Sequence, residues 1–189
     1  MTFEPQTALD SINRHKPSAI LEVTEFRGET TLLINKLDLH AVASHLKRNH
    51  GFVFLADITA VDYLGLRNPR YEVLYVVHRF GEGFEDNARL NLRIGVPEDR
   101  LRATSVTNIW KGADWLEREV YDMFGIVFEG HPDLRRILMP DDYDYFPLRK
   151  DFDVRNREPS KRCFERELEA GKLDFRGSLD KPLEKSPNN

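Results

Sequence analysis

The sequence predicts an α+β fold: a two-layer sandwich of a mostly antiparallel sheet covered by helices, followed by an extended C-terminal tail. Three observations predict it. Residues 71–80 are rich in β-branched and aromatic side chains. Residues 88–96 alternate Ala88, Leu90, Leu92, Ile94 and Val96 with Arg89, Asn91 and Arg93, which is a strand with one wet face. Short turns between such segments imply antiparallel pairing. Helical segments at 38–50 and 98–124 supply the layer for the dry face.

Taken in order, residues 8–16 read as a helix, with Ala8, Leu9 and Ile12 at helical spacing and Pro17 as a stop. Residues 19–36 read as two strands around Gly28. Helix 38–50 carries Leu39, Val42, Ala43 and Leu46 as one apolar stripe. Asp38 is placed to N-cap it, Leu37 and Val42 to staple its start, and Gly51 to end it. Residues 52–63 form a strand, 71–80 another, placed centrally, and GEGFEDN a polar turn before 88–96.

The stretch 113–140 stands out. Asp114 and Glu117 have capping-box spacing. Leu116, Val120, Met123 and Phe124 fall on one helical face, Gly125 can stop the helix, and Pro132 can open a second short one. Glu119 and Asp122 share a face with Trp115, and His131 is near in sequence. These three polar groups could be acid–base groups or metal ligands. The simpler reading, in which the carboxylates pair with Arg118, Arg135 or Arg136 and fix local packing, is favoured, because only three candidate ligands are present.

The domain organisation follows from composition. Residues 1–139 read as one globular α+β domain and 140–189 as an extended tail, ordered by a partner or disordered. From Asp151 onward, 18 of 39 residues are charged and 10 are hydrophobic, too few to offset the ordering entropy. A short helix at 161–170, with Cys163, Phe164 and Leu168 inward, fits within it. Residues 131–150 alternate charges with Tyr143, Tyr145, Phe146 and the prolines Pro140 and Pro147, an extended aromatic strip suited to a partner surface.

Composition also excludes classes. The chain has 189 residues, 28 basic against 32 acidic, for a net charge of −4, which argues against a nucleic-acid binder. One cysteine, Cys163, holds neither a disulfide nor a cysteine-ligated cluster or zinc. No apolar run approaches the roughly 20 residues of a membrane helix, and the N-terminus lacks the regions of a signal peptide. Gly125 and Gly130 have phosphate-loop spacing, but His131 and Pro132 stand where Lys and Ser/Thr belong. Gly81 and Gly83 begin a dinucleotide motif whose third glycine is missing. His40, His45 and His50 are spaced by five on one helix, about 140° apart, and do not converge on a metal.

The run WLEREVYDMFGIVFEGHPDLRRILMP (115–140), followed by FPLRKDF (146–152) and supported by FVFLADITAVDY (52–63), closely resembles the 30 kDa subunit of the proton-translocating NADH:quinone oxidoreductase, respiratory complex I. The resemblance implies a non-redox assembly subunit of the hydrophilic arm. The enzyme to which it belongs passes electrons from NADH through FMN and iron–sulfur clusters to quinone. It further implies no catalytic residue, no metal and no cofactor in this chain, with FMN and clusters in partner subunits. The implied partners are a hydrogenase-like large subunit and the small subunit holding the last cluster. The implied location is peripheral, on the cytoplasmic side of the bacterial inner membrane. On this reading Glu119, Asp122, Gly125, Gly130, His131, Pro132, Arg135 and Arg136 build a structural corner. Tyr143, Tyr145, Phe146, Pro147, Arg149, Lys150 and Asp151 form the partner interface. Two other readings are the equivalent subunit of a membrane-bound hydrogenase or formate-oxidising complex, and a small hydrolase using Glu119, Asp122 and His131.

Overall fold

The structure is a computed structural model and describes residues 4–81, 83, 86–155 and 158–171. In chain order its elements are α1 (Pro5–His15), β1 (Ile20–Phe26), β2 (Glu29–Ile34), α2 (Leu39–His50), β3 (Phe54–Asp62), β4 (Tyr71–Arg79), β5 (Ala88–Val96), β6 (Arg102–Thr104), α3 (Ala113–Phe124), β7 (Val127–Glu129) and α4 (Glu158–Glu169). The predicted α+β sandwich is the observed one. Five strands form one sheet in the order β1-β2-β5-β4-β3, and β6 pairs with β7 in a small second sheet. Only the β2–β5 pair within the large sheet is parallel.

One face of the large sheet is dry. Leu32 and Ile34 (β2), Leu90, Leu92, Ile94 and Val96 (β5), and Tyr71, Val73, Tyr75 and Val77 (β4) are all buried. They belong to one core with Ile12 of α1, the α2 stripe, and Val120 and Phe124 of α3. The alternation of 88–96 is thereby explained: its apolar residues face the helices, and Arg89, Asn91 and Arg93 line the opposite face, where Asn91 is itself buried against Glu29 and Thr31.

Helix α2 shows which signals matter. Leu39, Val42, Ala43 and Leu46 are fully buried, and Gly51 ends the helix in the left-handed region at φ 70°. The expected side-chain cap is absent: Asp38 makes no capping hydrogen bond and instead pairs with Lys16 Nζ at 3.0 Å. The expected staple is absent too, since Leu37 is 83% exposed. A cap contributes about 1 kcal/mol, whereas each buried aliphatic side chain contributes about 1.5–3 kcal/mol, so the stripe holds the helix without either device.

Three more expectations are corrected. Residues 98–124 do not form one helix: a 3-10 turn at Glu98–Arg100, strand β6 and an irregular loop precede α3. Within that loop Val106, Ile109 and Trp110 are buried at helical spacing. However, the Ser105 hydroxyl accepts from Thr107 N–H at 3.2 Å, a local bond that competes with helix. Second, Asp114 and Glu117 form no capping box. The N-cap is Gly112, which places Asp114 inside the first turn and turns Glu117 inward. Third, Pro132 opens no helix, because residues 131–140 are irregular.

The part of the tail that is described holds α4, where Cys163 is buried and Phe164 is 43% exposed rather than inward. Residues 156, 157 and 172–189 of the expected tail, and residues 82, 84 and 85 of the expected turn, lie outside the described residues. Among the described residues no helix is long and apolar enough to cross a membrane.

Candidate partner interface

The C-terminal half of the domain is organised by two buried carboxylates. The first is Asp122, on the last turn of α3. Its Oδ2 accepts three consecutive backbone N–H groups, from Ile137 (3.1 Å), Leu138 (2.7 Å) and Met139 (2.8 Å). Its Oδ1 accepts from Arg136 Nη1 at 2.5 Å. Burial pushes the Asp122 carboxyl up, but the three N–H groups and the guanidinium outweigh it and hold the pKa below the usual value. A loop that would leave three donors orphaned is thus fixed by one anion.

Arg136 extends the clasp. It also donates to the Asp122 carbonyl at 3.2 Å and to the carbonyls of Tyr143 and Tyr145. Arg118 donates to the carbonyls of Arg135 and Arg136, each at 3.2 Å. Arg118 and Asp122 on one helix face therefore grip the backbone of residues 135–139, and Arg136 extends the grip to the carbonyls of Tyr143 and Tyr145.

The second carboxylate is Asp62, at the end of β3. It forms a bidentate pair with Arg70, Nε–Oδ1 at 2.9 Å and Nη2–Oδ2 at 2.7 Å. The Lys150 N–H donates to Oδ2 at 2.8 Å. These bonds, Arg70 first, hold the Asp62 pKa below its usual value against the opposing effect of burial. Arg70 also meets Asp151 at 3.0 Å and Glu98 at 2.5 Å.

Between these two anchors, residues 143–152 form a strap across the domain. Leu148 N–H donates to the Met123 carbonyl at 3.2 Å, and Arg149 Nε to the Phe124 carbonyl at 2.6 Å. The Arg149 guanidinium lies 4.2 Å over the Phe146 ring. Gly125, left-handed at φ 77° as the sequence predicts, passes directly beneath: a Cβ there would meet Arg149 and the Phe146 ring.

The expected site residues therefore divide. Asp122, Gly125 and Arg136 meet in the clasp. Glu119 is exposed, with no ion pair among the described residues, and Arg135 pairs with Asp133 at 2.8 Å rather than with a helix carboxylate. Gly130 is left-handed at φ 86°, and Pro132 follows it in the irregular loop. His131 Nδ1 accepts from the Asp133 N–H at 3.0 Å, so its proton sits on Nε2, which donates to the Asp114 carbonyl at 3.1 Å. Of the expected interface residues, Tyr143 is buried within the chain, and Phe146 and Arg149 turn onto the domain. Pro147 is half-buried, while Tyr145, Lys150 and Asp151 are exposed.

The sequence reasoning missed four exposed apolar side chains: Trp115, Leu138, Leu148 and Val154. Their signal was present, since each is a large apolar residue within or adjacent to the recognised run, but exposure is a property of the loop path. It also missed Glu117. This side chain is buried, accepts from Val106 N–H at 2.7 Å and adds its charge to the burial that raises the Tyr75 pKa. Burial pushes the Glu117 pKa up to about 7, with Val106 N–H and Ser105 opposing and Asp114 adding to the rise.

The arrangement offers no acid–base constellation of the expected kind. Asp122 engages both oxygens in the clasp and His131 both nitrogens with backbone, while Glu119 faces solvent. Among the described residues no group of three His, Cys, Asp or Glu is placed to hold a metal.

Comparison with known proteins supplies the context. Residues 32–158 match the family described as "Respiratory-chain NADH dehydrogenase, 30 Kd subunit". The matching NADH-quinone oxidoreductase subunit of Geobacter metallireducens is 41% identical over 160 residues, 84% of this chain and 96% of that protein. NADH-quinone oxidoreductase subunit 5 of Thermus thermophilus is 52% identical over 106 residues, 54% of this chain and 51% of that protein. The solved trypsin-resistant fragment (1-134) of Nqo5 superimposes with a TM-score of 0.58 at 36% identity, covering 67% of this chain and 99% of the fragment. A chain of the membrane-bound sulfane sulfur reductase, an archaeal respiratory membrane complex, shares the fold with a TM-score of 0.66 at 22% identity, covering 96% of this chain and 98% of that one. The chain belongs to the family of 30 kDa subunits of respiratory NADH-quinone oxidoreductase.

Proposed function

We propose that this chain is a non-redox scaffold subunit of NADH:quinone oxidoreductase, peripheral on the cytoplasmic side of the membrane. It carries no cofactor of its own; FMN and iron–sulfur clusters belong to partner subunits. It docks on the hydrogenase-like large subunit and lies near the small subunit with the terminal cluster.

The observation that carries this reading is the strap. Its strongly held polar groups, Asp122, Arg136, Asp62, Arg70 and Arg149, are all engaged in fixing the backbone of residues 135–151. The loop and strap leave Leu138, Tyr145 and Leu148 outward, and Trp115 on α3 is exposed as well. A rigid rim of large apolar and aromatic groups with its polar atoms already satisfied is what an interface needs, because hot spots cluster in such groups.

The test is a mild-detergent purification of the tagged chain from native membranes, with every accompanying subunit identified by mass. Recovery of a flavoprotein, cluster-bearing subunits and a hydrogenase-like large subunit is expected. Recovery with a nickel hydrogenase or a formate-oxidising complex would move the assignment to that related assembly. A partner-free monomer in the soluble fraction would refute the scaffold role.

A further inference from the structure

From the geometry of the first hairpin we infer that β1 is a strand-addition site, which takes an extended, basic strand of a neighbouring subunit. The inference rests on the scaffold reading for the presence of that neighbour.

Strand β1 is the last strand on its side of the sheet, with no strand beyond it among the described residues. Its turn to β2 consists of Arg27 and Gly28, at φ 53° and φ 79°. Two consecutive left-handed residues make the mirror-image turn that suits a two-residue hairpin. In such a hairpin the flanking pair, Phe26 and Glu29, exchanges hydrogen bonds, and the pattern then alternates. The register pairs Thr24 with Thr31 and Glu22 with Leu33. Phe26, Thr24 and Glu22 therefore aim their backbone groups at β2, while Val23 and Glu25 aim theirs outward, where nothing described accepts them.

Edges are usually blunted by brevity, proline, charged side chains (lysine above all), a bulge or a cover. Strand β1 spans seven residues, holds no proline or lysine, and has its irregularity at Ile20/Glu22, before the outward groups. Three of its apolar side chains are uncovered: Leu21 is 61% exposed, Val23 45% and Phe26 68%. Charge selects the occupant. Glu22 and Glu25 are exposed with no ion pair among the described residues. Glu22 and Glu25 project from opposite faces of the strand; an antiparallel second copy would add a second glutamate to each face, with the two Glu25 carboxylates nearest one another, and like charges across a ladder are destabilising. A strand with lysine or arginine among apolar residues neutralises both glutamates, and its main chain satisfies the outward donors and acceptors.

Amide hydrogen exchange tests the inference on the full chain, alone and within the purified complex. Exchange at Val23 and Glu25 is expected to slow at least tenfold on assembly. Val23→Pro deletes an outward donor but no bond to β2. In competition with the wild-type chain for incorporation it is expected to lose at least tenfold, while the isolated chain keeps its thermal midpoint. Glu22→Lys with Glu25→Lys, which retains every backbone group, is expected to lose likewise. Unchanged exchange in an intact complex, or equal competition by both variants, overturns strand addition and leaves the scaffold role standing. Slowing in the isolated chain that tracks concentration and dimer mass overturns the choice of a basic neighbour in favour of a second copy. Failure of the wild-type chain to join any complex overturns both readings.

Discussion

Replacing Glu117 with glutamine should stabilise the protein, and only at neutral to alkaline pH. The carboxyl is fully buried on α3, with Oε1 accepting from Val106 N–H at 2.7 Å. Its Oε2 and the Tyr75 hydroxyl are buried without hydrogen-bond partners among the described residues. Folding raises its pKa from 4.5 to about 7. In the unfolded chain the proton leaves near 4.5, so stability falls as pH rises from 4.5 to 7 and is level above that. A shift of that size corresponds to about 3 kcal/mol at 1.36 kcal/mol per unit. Glutamine keeps an oxygen for Val106 N–H, brings a donor towards Tyr75 and carries no charge at any pH. For a domain of this size about 3 kcal/mol moves the thermal midpoint by roughly 6–12 °C. His45, His50 and His78, whose pKa values burial lowers, add a pH slope of opposite sign below about 6.5. That slope is common to both proteins, so the quantity to follow is the difference between variant and wild type. The expected difference is near zero at pH 4.5 and grows to its full value at pH 8.5, measured by thermal melts monitored by circular dichroism. A difference that does not change with pH would refute the reasoning.

Asp122→Asn leaves three backbone N–H groups facing a weaker acceptor and Arg136 without its counter-charge. It should cost about 3 kcal/mol, read from denaturant midpoints. Gly125→Ala forces a left-handed alanine under Arg149 and Phe146 and should cost about 2 kcal/mol or more, checked the same way. Arg70→Met removes the partner of Asp62 and Asp151; trypsin should then cut after Arg149 and Lys150 at least several-fold faster, while the α2 region stays resistant. Trp115→Ala, at a side chain that is 64% exposed, should leave the isolated chain within about 0.5 kcal/mol of wild type and weaken its incorporation into the complex, as measured by co-purification.

How much of this was legible in the sequence follows from where each signal resides. The stripe Leu39, Val42, Ala43 and Leu46, the alternation of 88–96 and the stops at Gly51 and Gly125 were readable because side-chain periodicity and left-handed backbone are local properties. The expected helix over 98–124 failed in its first half, where a single turn of helix-like bonding at Val106–Trp110 follows the local Ser105–Thr107 bond and α3 begins only after Gly112. Capping was over-read at Asp38 and at Asp114/Glu117, because short polar side chains near a helix start have competing partners, here Lys16 and the Val106 N–H. The clasp was half legible: Asp122 and Arg136 were picked out together, but Glu119 and Arg135 were enrolled with them. Helical spacing cannot tell which of two carboxylates faces the loop when that loop offers backbone N–H groups, which the sequence does not mark. Asp62 was invisible for the same reason: Arg70 is eight residues away, but the Lys150 N–H that Asp62 holds is 88 residues away and is a backbone group the sequence does not mark.

The two carboxylates give the strap a property that an exposed tail would lack. Fixing one residue of backbone costs about 1–2 kcal/mol of conformational entropy, so a ten-residue segment ordered only on docking would cost the interface roughly 10 kcal/mol or more. Here Asp62, Asp122, Arg136 and Arg149 offset that cost during folding, through bonds that lie wholly inside the chain. Both carboxylates have lowered pKa values, so the clasp stays charged through the neutral range, where Glu117 titrates behind it. The neighbour therefore meets a surface already shaped, and Leu138, Tyr145, Leu148 and Trp115 can contribute their burial to affinity rather than to ordering. The long run that carries the family resemblance, residues 115–140 with 146–152, coincides with the helix, loop and strap that this clasp holds in place.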